Sequence, residues 1–187
     1  VVFMIPIYEP YFTGNEKKYL IDCIDTTWIS SQGKYIMKFE KALADFHGMK
    51  HAIVTSNCTT AIHLSLKSLG IGPGDEVITV ANTWISTAET ISQSGARPVF
   101  VDIHPDYYTI DVSRIEEKIT LKTKIIIPVH LFGQSVEMDP IMDICKRYNL
   151  LLVEDCAQAH FTEWRGQKVG TMGIAGTFSF FPGKNLG

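Results

Sequence analysis

Lys124-Ile-Ile-Ile-Pro-Val129 and Leu150-Leu-Leu-Val-Glu154, with Met138–Tyr148 between them, decide the fold. Each outer run is apolar with little alternation, which is how a strand covered on both faces reads. The segment between them reads as a helix. Strand, helix, strand is the unit of a parallel sheet. The same grammar extends in both directions. Upstream lie an Ala52–Thr55 strand and a Thr59–Leu69 helix closed by Gly70. A Glu76–Val80 strand, a Thr83–Gln93 helix closed by Gly95 and a Pro98–Val101 strand follow, and Asp111 caps a short helix to Ile119. Downstream, Lys168–Val169 reads as a short strand and Thr177–Phe181 as a closing one, stopped by Pro182-Gly183. The fold class is α/β, a three-layer α/β/α arrangement around a mostly parallel sheet. Before it, residues 1–50 read as a helical segment: a helix from Thr13 to Asp25, a loop, and a helix from Tyr35 to Phe46 ending near Gly48. Residues 51–187 form the α/β domain.

A chain of 187 residues is long enough for one well-formed core. The net charge of −3 and the lack of any Lys/Arg-rich run speak against a nucleic-acid or acidic-membrane partner. No apolar run approaches the ~20 residues of a bilayer span, and no signal-peptide pattern opens the chain. Cys23, Cys58, Cys145 and Cys156 lack zinc-like spacing and read as reduced thiols of a cytoplasmic protein. The six histidines are too dispersed for a metal site, so no metal is expected.

Open α/β sheets bind ligands beyond the carboxyl ends of their strands. Those positions hold Ser56-Asn-Cys-Thr-Thr60, then Trp84, Asp102, His130, Glu154-Asp155 and Lys184. Ser56–Thr60 opens a helix and suits a phosphate, though an ordinary N-cap reads the same way. Trp84 suits stacking on a flat ring, or simply the core. Asp155 follows an apolar strand, so its carboxylate is poorly hydrated and calls for a cationic partner, a structural arginine being the plain alternative. Lys184, just past a strand and a tight turn, loses hydration and offers an amine for Schiff-base chemistry; a solvated loop lysine is the alternative. Two phosphate motifs fail. Gly70-Ile-Gly72-Pro-Gly74 lies between a helix and a strand, the reverse of a dinucleotide loop. Pro182-Gly183-Lys184-Asn185 lacks the hydroxyl residue and first glycine of a P-loop. Phosphate cup, flat aromatic, buried carboxylate and lysine together are what pyridoxal phosphate requires.

Five stretches carry a family resemblance. They are Ser56-Asn-Cys-Thr-Thr-Ala-Ile-His63, Gly72-Pro-Gly-Asp-Glu-Val77, Gly95-Ala-Arg-Pro-Val-Phe-Val-Asp102, Glu154-Asp-Cys-Ala-Gln-Ala-His160 and Gly176-Thr-Phe-Ser-Phe-Phe-Pro-Gly-Lys-Asn-Leu186. In this order they resemble the DegT-type nucleotide-sugar aminotransferases, which have the aspartate-aminotransferase fold. Ile5-Pro-Ile-Tyr-Glu-Pro10 and Thr27-Trp-Ile-Ser-Ser-Gln-Gly-Lys34 are most similar to the perosamine-synthase branch, which aminates C4 of a 4-keto-6-deoxy sugar. The Phe181–Gly187 end is also similar to relatives that aminate C3. The resemblance implies that Lys184 forms the Schiff base and shuttles the proton, and that Asp155 pairs with the pyridinium nitrogen. It further implies that Gln158 contacts the phenolic oxygen, Trp84 stacks on the ring, and Asn57, Cys58, Thr59 and Ser179 hold the phosphate. His160, Trp28 and Asn185 fall to the substrate. The implied partners are a keto-sugar nucleotide, glutamate as amino donor, and a second copy of the chain in a homodimer with interfacial active sites.

This sequence departs from that family in its residues and in its extent. Cys58 replaces a usual glycine and adds a side chain beside the phosphate. Phe161-Thr162 replaces a small pair, and Ile174 a common aspartate. Family members also continue well past their lysine, so the resemblance implies a cofactor domain that is incomplete at Gly187, without the C-terminal small domain.

Overall fold

The computed structural model describes residues 5–6 and 8–186. Val1–Met4 and Gly187, at the ends of the two regions read from sequence, and Ile7 of the Ile5–Pro10 motif lie outside the described residues. The chain divides into two compact units, one comprising Val1–Val54 and the other Thr55–Leu186.

In the first unit α1 (Glu16–Asp25) and α2 (Lys34–His47) are joined by a Lys34–Asp22 ion pair of 2.5 Å and a Tyr19–Tyr35 ring contact. Gly48 ends α2 in the left-handed conformation, with its N–H on the carbonyl of Asp45 and the Met49 N–H on that of Ala44.

The second unit is built on five parallel strands: β1 (Glu76–Val80), β2 (Arg97–Val101), β3 (Thr123–Ile127), β4 (Leu151–Asp155) and β7 (Ala175–Thr177). Their order is β2-β1-β3-β4-β7. Chain direction across the sheet reverses between β1 and β3. Two short strands, β5 (Glu163–Trp164) and β6 (Gln167–Lys168), form an antiparallel ribbon outside it. Helices α3 (Cys58–Ser68), α4 (Ser86–Gln93) and α5 (Met138–Tyr148) cover the faces.

Strand alternation divides the core in two. Val77, Ile125, Ile127 and Val153 face Ile62 and Leu66 of α3 and Ile91 of α4. Ile78, Val80, Ile126 and Leu152 face Met138, Ile141, Ile144 and Cys145 of α5. This is the three-layer α/β/α arrangement expected from the apolar runs, and truncating Ile126 to Ala would cost about 2–5 kcal/mol. Continuing the alternation, Glu154 belongs to the α5 side and Asp155 to the α3/α4 side.

The structure departs from the sequence reading in three elements. Residues 51–55 make no strand, because no neighbouring strand among the described residues pairs with them. The closing strand is Ala175–Thr177 rather than Thr177–Phe181. Its neighbour β4 ends at Asp155, and the Cys156 N–H to Thr177 carbonyl bond is the last rung, so Phe178–Phe181 leave the sheet. The helix expected from Asp111 to Ile119 is two 3₁₀ turns, Val112–Arg114 and Glu116–Lys118, with Asp111 capping the first. Among the described residues no helix is long and apolar enough to cross a membrane.

Candidate functional site

At the carboxyl end of β4 two adjacent carboxylates are buried, Glu154 at 0% exposure and Asp155 at 4%. Asp155 Oδ2 accepts from the Thr87 hydroxyl of α4 at 2.8 Å, and Oδ1 accepts from the Ala157 N–H at 3.1 Å. Each oxygen therefore keeps a lone pair in hand. Burial pushes the Asp155 carboxyl above its ordinary range; Ala157, Thr87 and the charge of Lys184 pull it back only in part.

Three chain segments close on this carboxylate. The first is the start of α3, where the Asn57 side chain accepts from the Thr60 N–H at 2.8 Å and also takes its hydroxyl. That cap leaves the N–H groups of Cys58 and Thr59 without an acceptor inside the helix. The Cys58 thiol is pushed up to about 12, first by burial and then by the Asp155 charge, with a Thr177 hydrogen bond and the Lys184 charge opposing. It stays protonated at neutral pH and adds no charge to this end of the sheet. The second segment follows β7: Ser179 is buried and its hydroxyl accepts from the Phe181 N–H at 3.4 Å. The Pro182-Gly183 turn is closed by the Lys184 N–H on the Phe181 carbonyl at 2.8 Å, leaving Lys184 half-buried. The third follows β4: Gln158 Oε1 accepts from the Phe132 N–H at 2.9 Å, which aims the amide, and His160 is packed between the rings of Phe178 and Phe180.

Among the residues singled out from sequence, Cys58, Asp155 and Lys184 are close enough to feel one another's charge. Asn57 and Thr59 open α3, whose first turn contains Cys58. Trp84, in the turn before α4, is 73% exposed, so its ring is free to meet a ligand rather than filling the core. Asn185 is exposed on the final turn. Trp28 belongs to the first unit, in the turn after α1, and is half exposed.

Two functional features were absent from the sequence reading. Thr87 as the donor to Asp155 is visible in sequence only as a hydroxyl one helical turn beyond Thr83. In the sequence Glu154 reads only as a strand end and as the first residue of the Glu154–His160 motif. Its Oε1 accepts from the N–H groups of Met172 (2.7 Å) and Gly173 (2.8 Å), and its Oε2 from Gly170 N–H (2.8 Å) and His130 Nε2 (3.2 Å). The Val136 N–H donates to His130 Nδ1, so the ring proton sits on Nε2, facing Glu154. His130, Glu154 and Cys156 lie near enough together to resemble a metal site. The histidine proton is one of the four donors that fill the Glu154 carboxylate, so His130 and Glu154 form a closed hydrogen-bonded pair with Cys156 beside it.

A parallel sheet carrying a buried carboxylate, a helix N-terminus and a lysine at its carboxyl edge defines an α/β transferase architecture of the aspartate-aminotransferase type. Residues 10–187 match the DegT/DnrJ/EryC1/StrS aminotransferase family, and the chain belongs to that family. It is 49% identical to the GDP-perosamine synthase of Caulobacter vibrioides over 96% of this chain and 48% of that protein. It is 42% identical to the dTDP-3-amino-3,4,6-trideoxy-alpha-D-glucose transaminase of Micromonospora megalomicea, over 92% of this chain and 47% of that one. The PMP form of the putative sugar aminotransferase Spr1654 from Streptococcus pneumoniae superposes with a TM-score of 0.92 at 31% identity, over 98% of this chain and 50% of that one. The chain spans about half the length of the relatives it matches.

Proposed function

We propose that this chain provides the cofactor half of a pyridoxal-phosphate-dependent aminotransferase. The reaction moves an amino group from glutamate to C4 of a nucleotide-linked 4-keto-6-deoxyhexose. The observation that carries the reading is Asp155: a buried carboxylate, its pKa raised, with one lone pair open on each oxygen and a lysine within charge range. A pyridinium N–H is the donor such a carboxylate lacks, so the residues fit the group. Pyridoxal phosphate, when bound, supplies an electron sink for the pair released when a proton leaves the carbon bearing the amine.

This chain's residues have distinct tasks. The Asp155 carboxylate holds the ring nitrogen's proton, and Thr87 and Ala157 favour its ionised form and aim it. The Lys184 amine takes the proton from the donor's amine-bearing carbon and returns one on the other side of the exchange. The free N–H groups of Cys58 and Thr59, the Asn57 cap and the Ser179 hydroxyl suit a phosphate dianion at the positive end of α3. Trp84 excludes water from one face of the ring, and Gln158, held by Phe132, presents its amide at the ring edge. His160 and Asn185 serve the sugar nucleotide. Glutamate leaves as its 2-oxo acid and the keto sugar leaves as an amino sugar. The expected setting is a cytoplasmic homodimer.

The perosamine-synthase relative favours C4, and the 3-amino-sugar relative favours C3 as the second reading. Incubating the protein, extended to the full length of its relatives, with ¹⁵N-glutamate and, in parallel, a 4-keto-6-deoxy and a 3-keto-6-deoxy sugar nucleotide tests this. The expected product carries ¹⁵N on C4 by NMR. Label on C3 would establish the second reading, and no ¹⁵N transfer to any keto sugar would refute both.

A further inference from the structure

Glu154 is the most completely bonded carboxylate of the described residues, yet nothing in the proposed chemistry uses it. Its position on β4 places it on the sheet face opposite Asp155. Its four donors come from two loops: His130 follows β3, and Gly170, Met172 and Gly173 form the turn that enters β7. Burial alone would push the carboxyl up. The His130 N–H and the Gly170 and Gly173 amides outweigh it and hold the group below its ordinary value.

The turn it grips has little room to move. Gly176 of β7 lies against the Gly170 backbone, so closely that a Cβ at 176 would collide with the Gly170 Cα and carbonyl. A Cβ on Gly173 would strike the Leu152 carbonyl, and one on Gly170, at φ +85°, would meet the Phe178 ring at 2.6 Å and the Cys156 sulfur at 3.2 Å. The Ile174 N–H on the Leu152 carbonyl (2.8 Å) continues the attachment along β4. From there the chain runs four residues past Gly170's neighbour Phe178 and its contact with His160 before reaching the Pro182 turn and Lys184.

We propose that Glu154 is a positioning residue for the cofactor site: its carboxylate pins the 170–173 turn to β4, fixing β7 and with it the segment that carries Ser179 and Lys184. The two neighbouring carboxylates then divide the work, Asp155 toward the ligand and Glu154 toward the chain that delivers the lysine. The proposal rests on the site reading above, and its test separates the two.

Glu154→Gln turns one acceptor oxygen into an amide N–H₂ that opposes two of the four donors. His130→Asn is the milder variant, removing one donor and leaving the three backbone ones, and it carries the test if Glu154→Gln does not fold. Glu76→Gln is the control for plain destabilisation. Glu76 is also buried and hydrogen-bonded (Thr120 hydroxyl and Arg97, both 2.7 Å), but it lies at the amino end of β1. Amide hydrogen exchange of cofactor-free protein should speed up at least tenfold at Gly170, Met172, Gly173, Ile174 and Lys184 in Glu154→Gln. The increase should be smaller in His130→Asn and absent at these amides in Glu76→Gln. Pyridoxal phosphate affinity, titrated by visible absorbance, should weaken about tenfold in Glu154→Gln and not in Glu76→Gln at equal loss of Tm. Wild-type exchange at Ile174 and Lys184 in the Glu154 and His130 variants would overturn the positioning role. So would an affinity loss no larger than that of Glu76→Gln. Absence of any absorbance change in wild-type protein would instead refute the cofactor site, with the exchange data still deciding what Glu154 holds.

Discussion

Glu154 and Asp155 are neighbours in one strand, both carboxylates, both buried, and they are opposites in chemistry. Glu154 accepts four hydrogen bonds and is held below its ordinary value; Asp155 accepts two and is pushed above it. Both pay a desolvation cost, and only at Glu154 do the donors it accepts outweigh it. A carboxylate whose lone pairs are all filled by its own chain is part of the framework. One left half-filled at the carboxyl end of a parallel sheet has acceptor capacity to spare, at some expense in stability.

The largest effect should come from closing the open member. Asp155→Ala is expected to lower turnover roughly 100- to 1000-fold, the scale for losing one preorganised charge contact at a reacting centre, as steady-state kinetics would register. A loss below tenfold would remove Asp155 from the chemistry. Stability should then invert the ranking. Glu154→Gln is expected to destabilise by about 3 kcal/mol in urea unfolding, because it leaves buried N–H donors facing an amide. Asp155→Asn should be neutral or stabilising, since it removes a poorly compensated buried charge. Equal destabilisation by both would break the comparison.

Acid sharpens it by sign. Glu154's folded pKa lies below its ordinary 4.5, so it contributes stability above that value, and the contribution is lost as pH falls through the lowered one. Asp155's folded pKa lies above 3.8, so its ionisation costs stability above the raised value, and the cost disappears as pH falls toward 3.8. Thermal melts from pH 7 to pH 3 should therefore show the Asp155→Asn advantage shrinking before the Glu154→Gln deficit does. The smallest effect should come from Thr87→Val, which takes one hydroxyl from Asp155. A loss of about tenfold in kcat/KM is expected, and an unchanged value would mean that Ala157 alone orients the carboxylate.

Much of this was legible in the residues. Glu76–Val80 and Met138–Tyr148 have the same bounds in sequence and structure, because turns and helix signals bracket them tightly. Continuous Val and Ile runs declared a sheet buried on both faces, and the positions past strand ends singled out Asp155 and Lys184 as candidates. The alternation in Thr177–Phe181 misled, since period two reports a pattern of burial and not the presence of a neighbour to pair with. The saturation of Glu154 could not be read at all. Its donors are mostly backbone N–H groups of a turn 16 to 19 residues away, and any residue but proline carries that group.

The central claim is that Lys184 and Asp155 form one cofactor site at the end of the sheet. Its most direct test is borohydride reduction of the protein with pyridoxal phosphate, followed by peptide mass mapping. The expected result is a single phosphopyridoxyl label on Lys184, lost in Lys184→Ala and weakened in Asp155→Ala. A label spread over surface lysines, or one on Lys184 that is indifferent to Asp155, would contradict it.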